Sequence, residues 1–432
     1  MCSEGSGRAD SRRCAKGAHP LANCDTTESR SIFGKLSVVQ FMIHHIATVI
    51  KILVVLATFA GLAYYVLCIW SAAKFLRRYK TAGPNTDPTQ PLPPVSILKP
   101  LKGADPEMYE SFRSHCLQDY PEYEIVFGVS DPSDPAIEVV ERLKKEFPQR
   151  AIRLVICPAN LGTNIKISNL AQMAREARHE HLLVNDSDIR VALDYLRCVM
   201  APLADQQTGL VTCLYRGVAA PTLGSRLESL GISTDFIAGV LVARYVEGGI
   251  HFGLGSTLAF RHRDLEAIGG FESLVDYLAD DYEIGKRIAD RGLNIVLSDA
   301  VVDTFLPHYS FSGFFQHQLR WGRSIRDSRR WGYVGMMFTF GGPWALLALI
   351  LAHGAIWAWG LLAATAVLRT AMAWVVGRRA LSDSQVLRLV WLVPFRDLMA
   401  LIIWVASFAG HSITWRGSVF VLKDGKLAKI NT

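Results

Sequence analysis

Ile52–Trp70 (ILVVLATFAGLAYYVLCIW) is an uncharged apolar run long enough to cross a bilayer as a helix. Three more apolar stretches follow late in the chain: Tyr333–Ala352, Ala355–Val376 and Val386–Gly410, the last interrupted by Pro394, Arg396 and Asp397. Between the first run and the others, from about Pro94 to Arg330, the composition is that of a water-soluble protein. Lipid-facing backbone must satisfy its own hydrogen bonds, so the apolar runs have to be helical. One large aqueous domain is therefore inserted between membrane segments.

Charge orients it. Lys74, Arg77, Arg78 and Lys80 follow the first span; Arg323, Arg326, Arg329 and Arg330 precede the second; Arg378, Arg379 and Arg388 follow the third. By the positive-inside bias these clusters, and the aqueous domain with them, face the cytoplasm. The net charge of +7 is thus concentrated at membrane boundaries, where it also suits anionic headgroups. No basic run is interleaved with aromatics, so nucleic acid is not an expected partner. The eight cysteines form no CxxC pair and fit reduced cytosolic thiols.

The expected organisation is a disordered polar tail over 1–35, a membrane anchor over 36–80, a Pro-rich linker over 81–94 and the aqueous domain over 95–332. A membrane helical hairpin over 333–376 follows, then a crossing or re-entrant segment over 377–412 and a tail over 413–432 with a hairpin turn at Asp424-Gly425.

Within the aqueous domain apolar strands alternate with helical patterns. Strands are expected at Val95–Leu98, Glu124–Val129, Ile152–Ile156 and His181–Val184, and helices through Ser111–Leu117, Ala136–Phe147 and Lys166–Arg178. This is the α/β class: a Rossmann-like, mostly parallel sheet with helices on both faces. Ligands bind such sheets beyond the carboxyl ends of the strands. Two acidic loops lie there, Ser130-Asp131-Pro132-Ser133-Asp134-Pro135 and Asp186-Ser187-Asp188.

Asp186 and Asp188, two residues apart beyond a strand, can converge on one point, where two carboxylates call for a cation; hard oxygen ligands suit Mg²⁺ or Mn²⁺. Asp and Ser are also ordinary turn and capping residues, and Asp134 before the helix at Ala136 has a capping role available.

Three further elements follow in order. Phe252-Gly253-Leu254-Gly255-Ser256-Thr257 is a glycine-rich turn before a strand; Leu278-Ala279-Asp280-Asp281-Tyr282-Glu283-Ile284-Gly285 opens a helix; His317-Gln318-Leu319-Arg320-Trp321 lies on an amphipathic helix before the membrane. With the two acidic loops, this order resembles the inverting GT-A glycosyltransferases of the cellulose, hyaluronan and ceramide glucosyltransferase group. Ser96–Gly103, Gln118–Pro121, Ser130–Ala136, Asp186–Arg190 and Leu210–Gly217 bring it closest to ceramide glucosyltransferases and bacterial hopanoid-biosynthesis glycosyltransferases. The DSD is complete here, as in the hopanoid-type enzymes, where the animal ceramide enzymes resemble DSG. The family motif opens with Gln or Arg, then two residues, then Arg-Trp, and this chain has His317 in the first place.

The resemblance implies a GT-A cytoplasmic domain flanked by transmembrane helices in a bacterial inner membrane. A sugar would pass from a UDP-sugar to a lipid hydroxyl, with inversion. The expected acceptor is a hopanoid polyol such as bacteriohopanetetrol, with N-acetylglucosamine as the sugar; ceramide with UDP-glucose is the alternative. By the same resemblance Asp188, with Asp186, holds the metal that bridges the diphosphate. Asp134, with Asp131, holds the nucleoside, Asp186 contacts the ribose or the metal, and Arg320 is a second phosphate clamp. Asp281 is the base that takes the acceptor proton, with Asp280 beside it. Asp280, Asp281 and Glu283 are otherwise first-turn acids suited to the helix dipole.

Lys166 belongs to a segment like the family's nucleotide-facing loop, or is an exposed helix lysine. Gly253 and Gly255 permit close backbone approach at the sugar pocket. Trp321 stacks on substrate or anchors the interfacial helix. Gly231–Tyr245 is apolar enough to be core or a lipid entrance. Two rival classes are a processive polysaccharide synthase, for which three firm spans are few, and a catalytically dead scaffold, which has no need of the acids.

Overall fold

The computed structural model describes residues 26–82, 92–415 and 418–429. Met1–Leu53 forms one compact unit and Val54–Thr432 another. A long helix, α1 (Thr26–Ala82), begins inside the tail expected to be disordered. Residues 26–35 are therefore helical; 1–25 and most of the 81–94 linker lie outside the described residues.

An eight-stranded sheet organises the aqueous domain: β1 (Val95–Leu101), β2 (Tyr123–Val129), β3 (Ala151–Ile156), β4 (His181–Val184), β5 (Ile189–Arg190), β6 (Thr208–Val218), β7 (Leu258–Arg261) and β8 (Asn294–Phe305). The order is β3-β2-β1-β4-β7-β6-β8-β5. β1 to β4 pair in parallel, connected through α2 (Met108–Cys116), α3 (Ala136–Glu146) and α4 (Ile165–Glu176), as the alternating pattern requires. β1 and β2 are buried along their whole length, which explains why they read as continuous apolar runs rather than alternating ones.

Beyond β4 the sheet departs from a simple parallel array. β7 runs antiparallel to both β4 and β6, and β5 antiparallel to β8, while β6 and β8 are parallel. The inversion has a consequence for function. Val184, the last residue of β4, pairs with Leu258, the first of β7. The glycine-rich turn before β7 is thereby brought to the same edge as the loops after β1, β2 and β4.

Short helices α5 (Tyr195–Met200) and α8 (His262–Glu266) flank the sheet. Between β6 and β7 the chain forms α6 (Leu223–Gly231), a π-helical turn (Ile232–Phe236) and α7 (Ile237–Val246). After α9 (Asp280–Asp290) and β8 come α10 (Phe311–Ser328), α11 (Arg330–Gly335), α12 (Gly341–Leu351), α13 (Ile356–Ala373), α14 (Gln385–Leu389) and α15 (Val393–Ser407).

Four helices among the described residues are long and apolar enough to cross a membrane: Gln40–Arg77, Leu223–Val246, Ile356–Ala380 and Gln385–Ser407. The second lies inside the stretch expected to be wholly aqueous. The expected straight span at Tyr333–Ala352 is instead bent by 53° at a break between Thr339 and Gly341, leaving α12 only 11 residues long. An α-helix rises ~1.5 Å per residue, so α12 alone falls well short of a bilayer. Gly341-Gly342-Pro343 occupies the break, with Pro343 tolerated in the first turn of α12.

One core joins the sheet to the helices, running from Ile97, Phe127 and Leu183 to Tyr65, Ala72, Met372 and Val376. The tail is a three-stranded antiparallel sheet, β9 (Ser412–Trp415), β10 (Ser418–Lys423) and β11 (Lys426–Lys429), rather than a single hairpin. It docks beside the start of α9: Leu278 N donates to Gly425 O (3.1 Å) and Leu427 N to Asp276 O (2.7 Å).

Candidate active site

Asn185 fixes the first residue beyond β4. Fully buried, it donates through Nδ2 to Tyr195 Oη (2.9 Å) and Ser256 O (2.7 Å), and its Oδ1 lies 3.2 Å from His115 Nε2. The DSD turn is thereby tied to the glycine-rich turn. Lys99 supports it from below, donating to Asp186 O at 3.0 Å. Burial pushes the Lys99 ammonium down to about 7, against the pull of Asp188 and Asp186.

Asp188 is half-buried. Desolvation and the neighbouring Asp186 charge raise its carboxyl to about 6, while a hydrogen bond from the Thr304 hydroxyl at the end of β8 acts in the opposite direction. Ser187 between them is held by Asp105.

Lys166 is not an exposed helix lysine. Asn164 caps α4, its Oδ1 accepting from Ile167 N, and the first turn of α4 then points Lys166 into the acids. Its Nζ lies 2.9 Å from Asp186 Oδ1 and 3.2 Å from Asp280 Oδ2. Burial alone would lower this ammonium; the two carboxylates outweigh it and hold it above the ordinary lysine value. Asp280 also accepts from Asn164 Nδ2 (3.4 Å).

Asp281 stands next to this pair. Burial and Asp280 raise its carboxyl to about 6, with Lys166 opposing, and its Oδ1 accepts from Tyr282 N at 2.8 Å. Gly255 separates it from the DSD: a Cβ there would lie 3.1 Å from Asp281 Oδ2 and 3.5 Å from Asp186 Oδ2. The two carboxylates thus face each other across a bare backbone. Gly253 N donates to Asp281 O (3.3 Å), and Gly285 lets α9 press on this turn, since a Cβ on it would meet Gly253 N at 2.1 Å.

Above these acids is an aromatic wall. Tyr215 packs on Phe236 (ring centroids 5.7 Å apart), Phe236 on Trp321 (5.8 Å), Trp321 on His317 (5.5 Å) and His317 on Tyr309 (5.2 Å). His317 Nδ1 lies 2.8 Å from Oε1 of Glu228, a carboxylate on α6 that is 1 % exposed. Arg320 shares the lining. A cavity of about 1450 Å³ runs from Asp186, Asp188 and Asp281, along this wall, to the apolar helices.

Asp186, Asp188, Lys166, Gly253, Gly255, Asp280, Asp281, His317, Arg320 and Trp321 therefore all line one cavity. Asp131 and Asp134 do not. The Asp131 carboxylate turns onto its own loop, accepting from Ser133 Oγ (2.7 Å) and Ser133 N (2.8 Å), which lower its pKa. Asp134 accepts from Gly103 N (2.9 Å) and Ala136 N (2.9 Å), tying the β1 loop to the start of α3. Asp131 thus closes a turn of its own loop, and Asp134 ties the loop after β1 to the chain just before α3. Lys99, Asn185, Tyr215 and Glu228 had no functional reading in the sequence. A charged or polar residue inside an otherwise apolar strand or helix was the only local sign.

No set of three or more His, Cys, Asp or Glu side chains among the described residues forms a ready metal cage. A Mg²⁺-type site that uses one or two carboxylates and completes itself with phosphate oxygens and water needs none. Asp186 and Asp188 fit that description: both line the cavity, two residues apart beyond β4.

The family model for glycosyl transferase family 21 matches residues 53–428, and the chain belongs to that family. Among curated proteins it is similar to ceramide glucosyltransferase 3 of Caenorhabditis elegans, 26% identical over 77% of this chain and 74% of that one. It is also similar to a ceramide glucosyltransferase of Komagataella phaffii, 36% identical over 24% of this chain and 22% of that protein. Among solved structures, a mannosyltransferase from Pyrobaculum calidifontis, in complex with GDP-Man and Mn²⁺, superposes with a TM-score of 0.55. The identity is 22%, and the match covers 83% of this chain and 98% of that one. The fold is accordingly a GT-A-type α/β fold with apolar helices attached.

Proposed function

We propose that this chain is a metal-dependent, inverting glycosyltransferase that moves glucose from UDP-glucose to the primary hydroxyl of a ceramide-type lipid. The observation that carries the reading is the single cavity joining the carboxylates at the sheet edge to the apolar helices. A nucleotide sugar suits the polar end, and an acyl-chain acceptor suits the other. The similarity to ceramide glucosyltransferases favours this acceptor over the hopanoid polyol and N-acetylglucosamine expected from the sequence.

Asp281 is the general base: a carboxylate near 6 is ionised at neutral pH yet basic enough to accept a proton as the hydroxyl attacks. Asp186 and Asp188 would hold Mg²⁺ or Mn²⁺, which would supply charge neutralisation for the leaving diphosphate. Lys166 orients Asp186 and keeps Asp281 ionised, and Arg320 clamps phosphate oxygens. Asp131 and Asp134 shape the nucleoside-side loop. The polar domain faces the cytoplasm, on the side of the basic clusters.

The test is UDP release by the full-length protein in nanodiscs with Mn²⁺ or Mg²⁺. UDP-glucose and UDP-N-acetylglucosamine are each paired with ceramide and with bacteriohopanetetrol. Ceramide-dependent release with UDP-glucose is expected. Turnover with bacteriohopanetetrol alone would restore the hopanoid reading, and a ladder of products would indicate a processive synthase.

A further inference from the structure

Four charges meet among the apolar helices. Arg369 of α13, Arg396 and Asp397 of α15, and Asp235 of the π-helical turn all line the cavity. Arg369 is 4 % exposed and Arg396 6 %. Arg369 forks onto Asp397, Nε to Oδ2 at 3.0 Å and Nη2 to Oδ1 at 2.8 Å, and Nη2 also reaches Asp235 Oδ1 at 2.5 Å. Arg396 Nη2 lies 3.7 Å from Asp235 Oδ2 and donates to Gln318 Oε1 at 3.0 Å. Ionisable groups within apolar spans are costly and usually face a cavity or one another. Here they do both.

A cluster serving only to staple helices would use up its donors. In this one Arg369 Nη1 and Arg396 Nε and Nη1 are buried with no hydrogen-bond partner among the described residues, as is one acceptor, Asp235 Oδ2, leaving three donors for one acceptor. Arg396 lies against Gly231, where a Cβ would come within 2.4 Å of Nη2, so α6 offers it no polar side chain there. The cluster adjoins the aromatic wall: Asp235 precedes Phe236, and Gln318 follows His317. The π-helical turn carries both Asp235 and Phe236, a feature frequent at functional sites.

We infer that Arg369 and Arg396 form a recognition subsite for an uncharged acceptor lipid. Their remaining N–H groups donate to a second oxygen of that lipid, such as an amide carbonyl, beyond the hydroxyl that receives the sugar. The inference rests on the lipid-acceptor reading above and specifies its substrate class. Asp235 and Asp397 already balance both guanidinium groups, so no net charge remains to favour a phosphate or carboxylate headgroup. A neutral oxygen meets preorganised donors and adds no charge. These are positioning residues; the reacting atoms lie with Asp281.

The experiment uses the full chain in phosphatidylcholine nanodiscs with UDP-glucose. It compares an N-acyl amino alcohol with a plain primary alcohol of equal chain length, for the wild type, Arg396→Met and Arg396→Lys. The wild type should prefer the amide acceptor by about 10–100-fold in kcat/KM, the worth of a hydrogen bond from a charged donor. Arg396→Met should shrink that preference to within about threefold, chiefly through the amide acceptor's KM, and Arg396→Lys should fall between.

Equal losses on both acceptors would assign the cluster a purely structural role and overturn the subsite. A wild type that does not distinguish the two acceptors would overturn it even if both variants failed to fold. Stronger competition by phosphatidate than by diacylglycerol would overturn the uncharged class. UDP-glucose turnover with neither lipid glycosylated would sink the lipid-acceptor reading and the subsite together.

Discussion

The Lys166 ammonium lies 2.9 Å from Asp186 Oδ1, and this contact sets the charge balance of the site. Lys166 is also 3.2 Å from Asp280, and its field lowers the carboxyl of Asp281. Without it Asp186, Asp280 and Asp281 would face one another uncompensated, and the base would hold its proton to higher pH. Lys166→Met should therefore reduce kcat/KM by roughly 10²-fold and move the acid limb of the pH–rate profile upward. An unmoved limb would mean that Lys166 does not tune the base.

Asp281→Asn should abolish sugar transfer, a loss of about 10²–10⁴-fold, while UDP-glucose binding measured by calorimetry persists. Asp281 has its folded pKa raised to about 6 from an ordinary value of 3.8. The ionised base is lost as pH falls through about 6, so wild-type activity should fall there. The linkage to stability has the opposite sign. Between 3.8 and about 6 the folded state binds this proton more tightly than the unfolded chain, so this group's contribution to stability increases as pH falls. Asp188 titrates in the same window, but saturating Mn²⁺ would keep it ionised and leave the limb to Asp281.

Gly255 and Gly285 should fail in different ways. A methyl at Gly255 intrudes between Asp281 and Asp186, where it meets side-chain oxygens at 3.1 and 3.5 Å. Gly255→Ala should cost about tenfold or more in kcat/KM but under ~1 kcal/mol of stability. A methyl at Gly285 strikes backbone at 2.1 Å. Gly285→Ala should destabilise by about 1–3 kcal/mol, read as a fall in Tm, before its activity is considered. Equal effects at the two positions would mean that Gly255 is merely a turn residue.

His317 Nδ1 lies 2.8 Å from Oε1 of the buried Glu228. His317→Ala should lower stability by about 1–3 kcal/mol, because it removes the imidazole beside a buried carboxylate that has no hydrogen-bond partner among the described residues. His317→Gln would place an amide N–H donor beside that carboxylate and should cost less than ~1.5 kcal/mol. If Ala and Gln prove equivalent in Tm, the pair is not what holds Glu228.

Local periodicity made the first half of the sheet legible. β1 to β4 lie close to where apolar runs and helical patterns placed them, because a parallel α/β array repeats the same short signals. The glycine-rich turn, the two acids at the start of α9 and the His317–Trp321 segment were also visible as motifs, and the structure gathers them in one cavity. Asp131 and Asp134 show what such reading leaves out: an acid in a loop at the correct sheet edge carries no local sign of the bonds to Ser133, Gly103 and Ala136 that hold its loop.

By itself the sequence determined that apolar helices bracket a charged α/β domain, and which strand ends carry its acids. Hydropathy and side-chain periodicity are properties of neighbouring residues. Tertiary structure decided that β7 is antiparallel, which delivers Gly255 between Asp186 and Asp281, and that Leu223–Val246 is a long apolar helix within the catalytic half. It also decided that Lys166 turns inward and that Arg369, Arg396, Asp235 and Asp397 neutralise one another. Each of these depends on groups up to hundreds of residues apart sharing one low-dielectric volume. Their pairing energy exists only once the chain has closed around them.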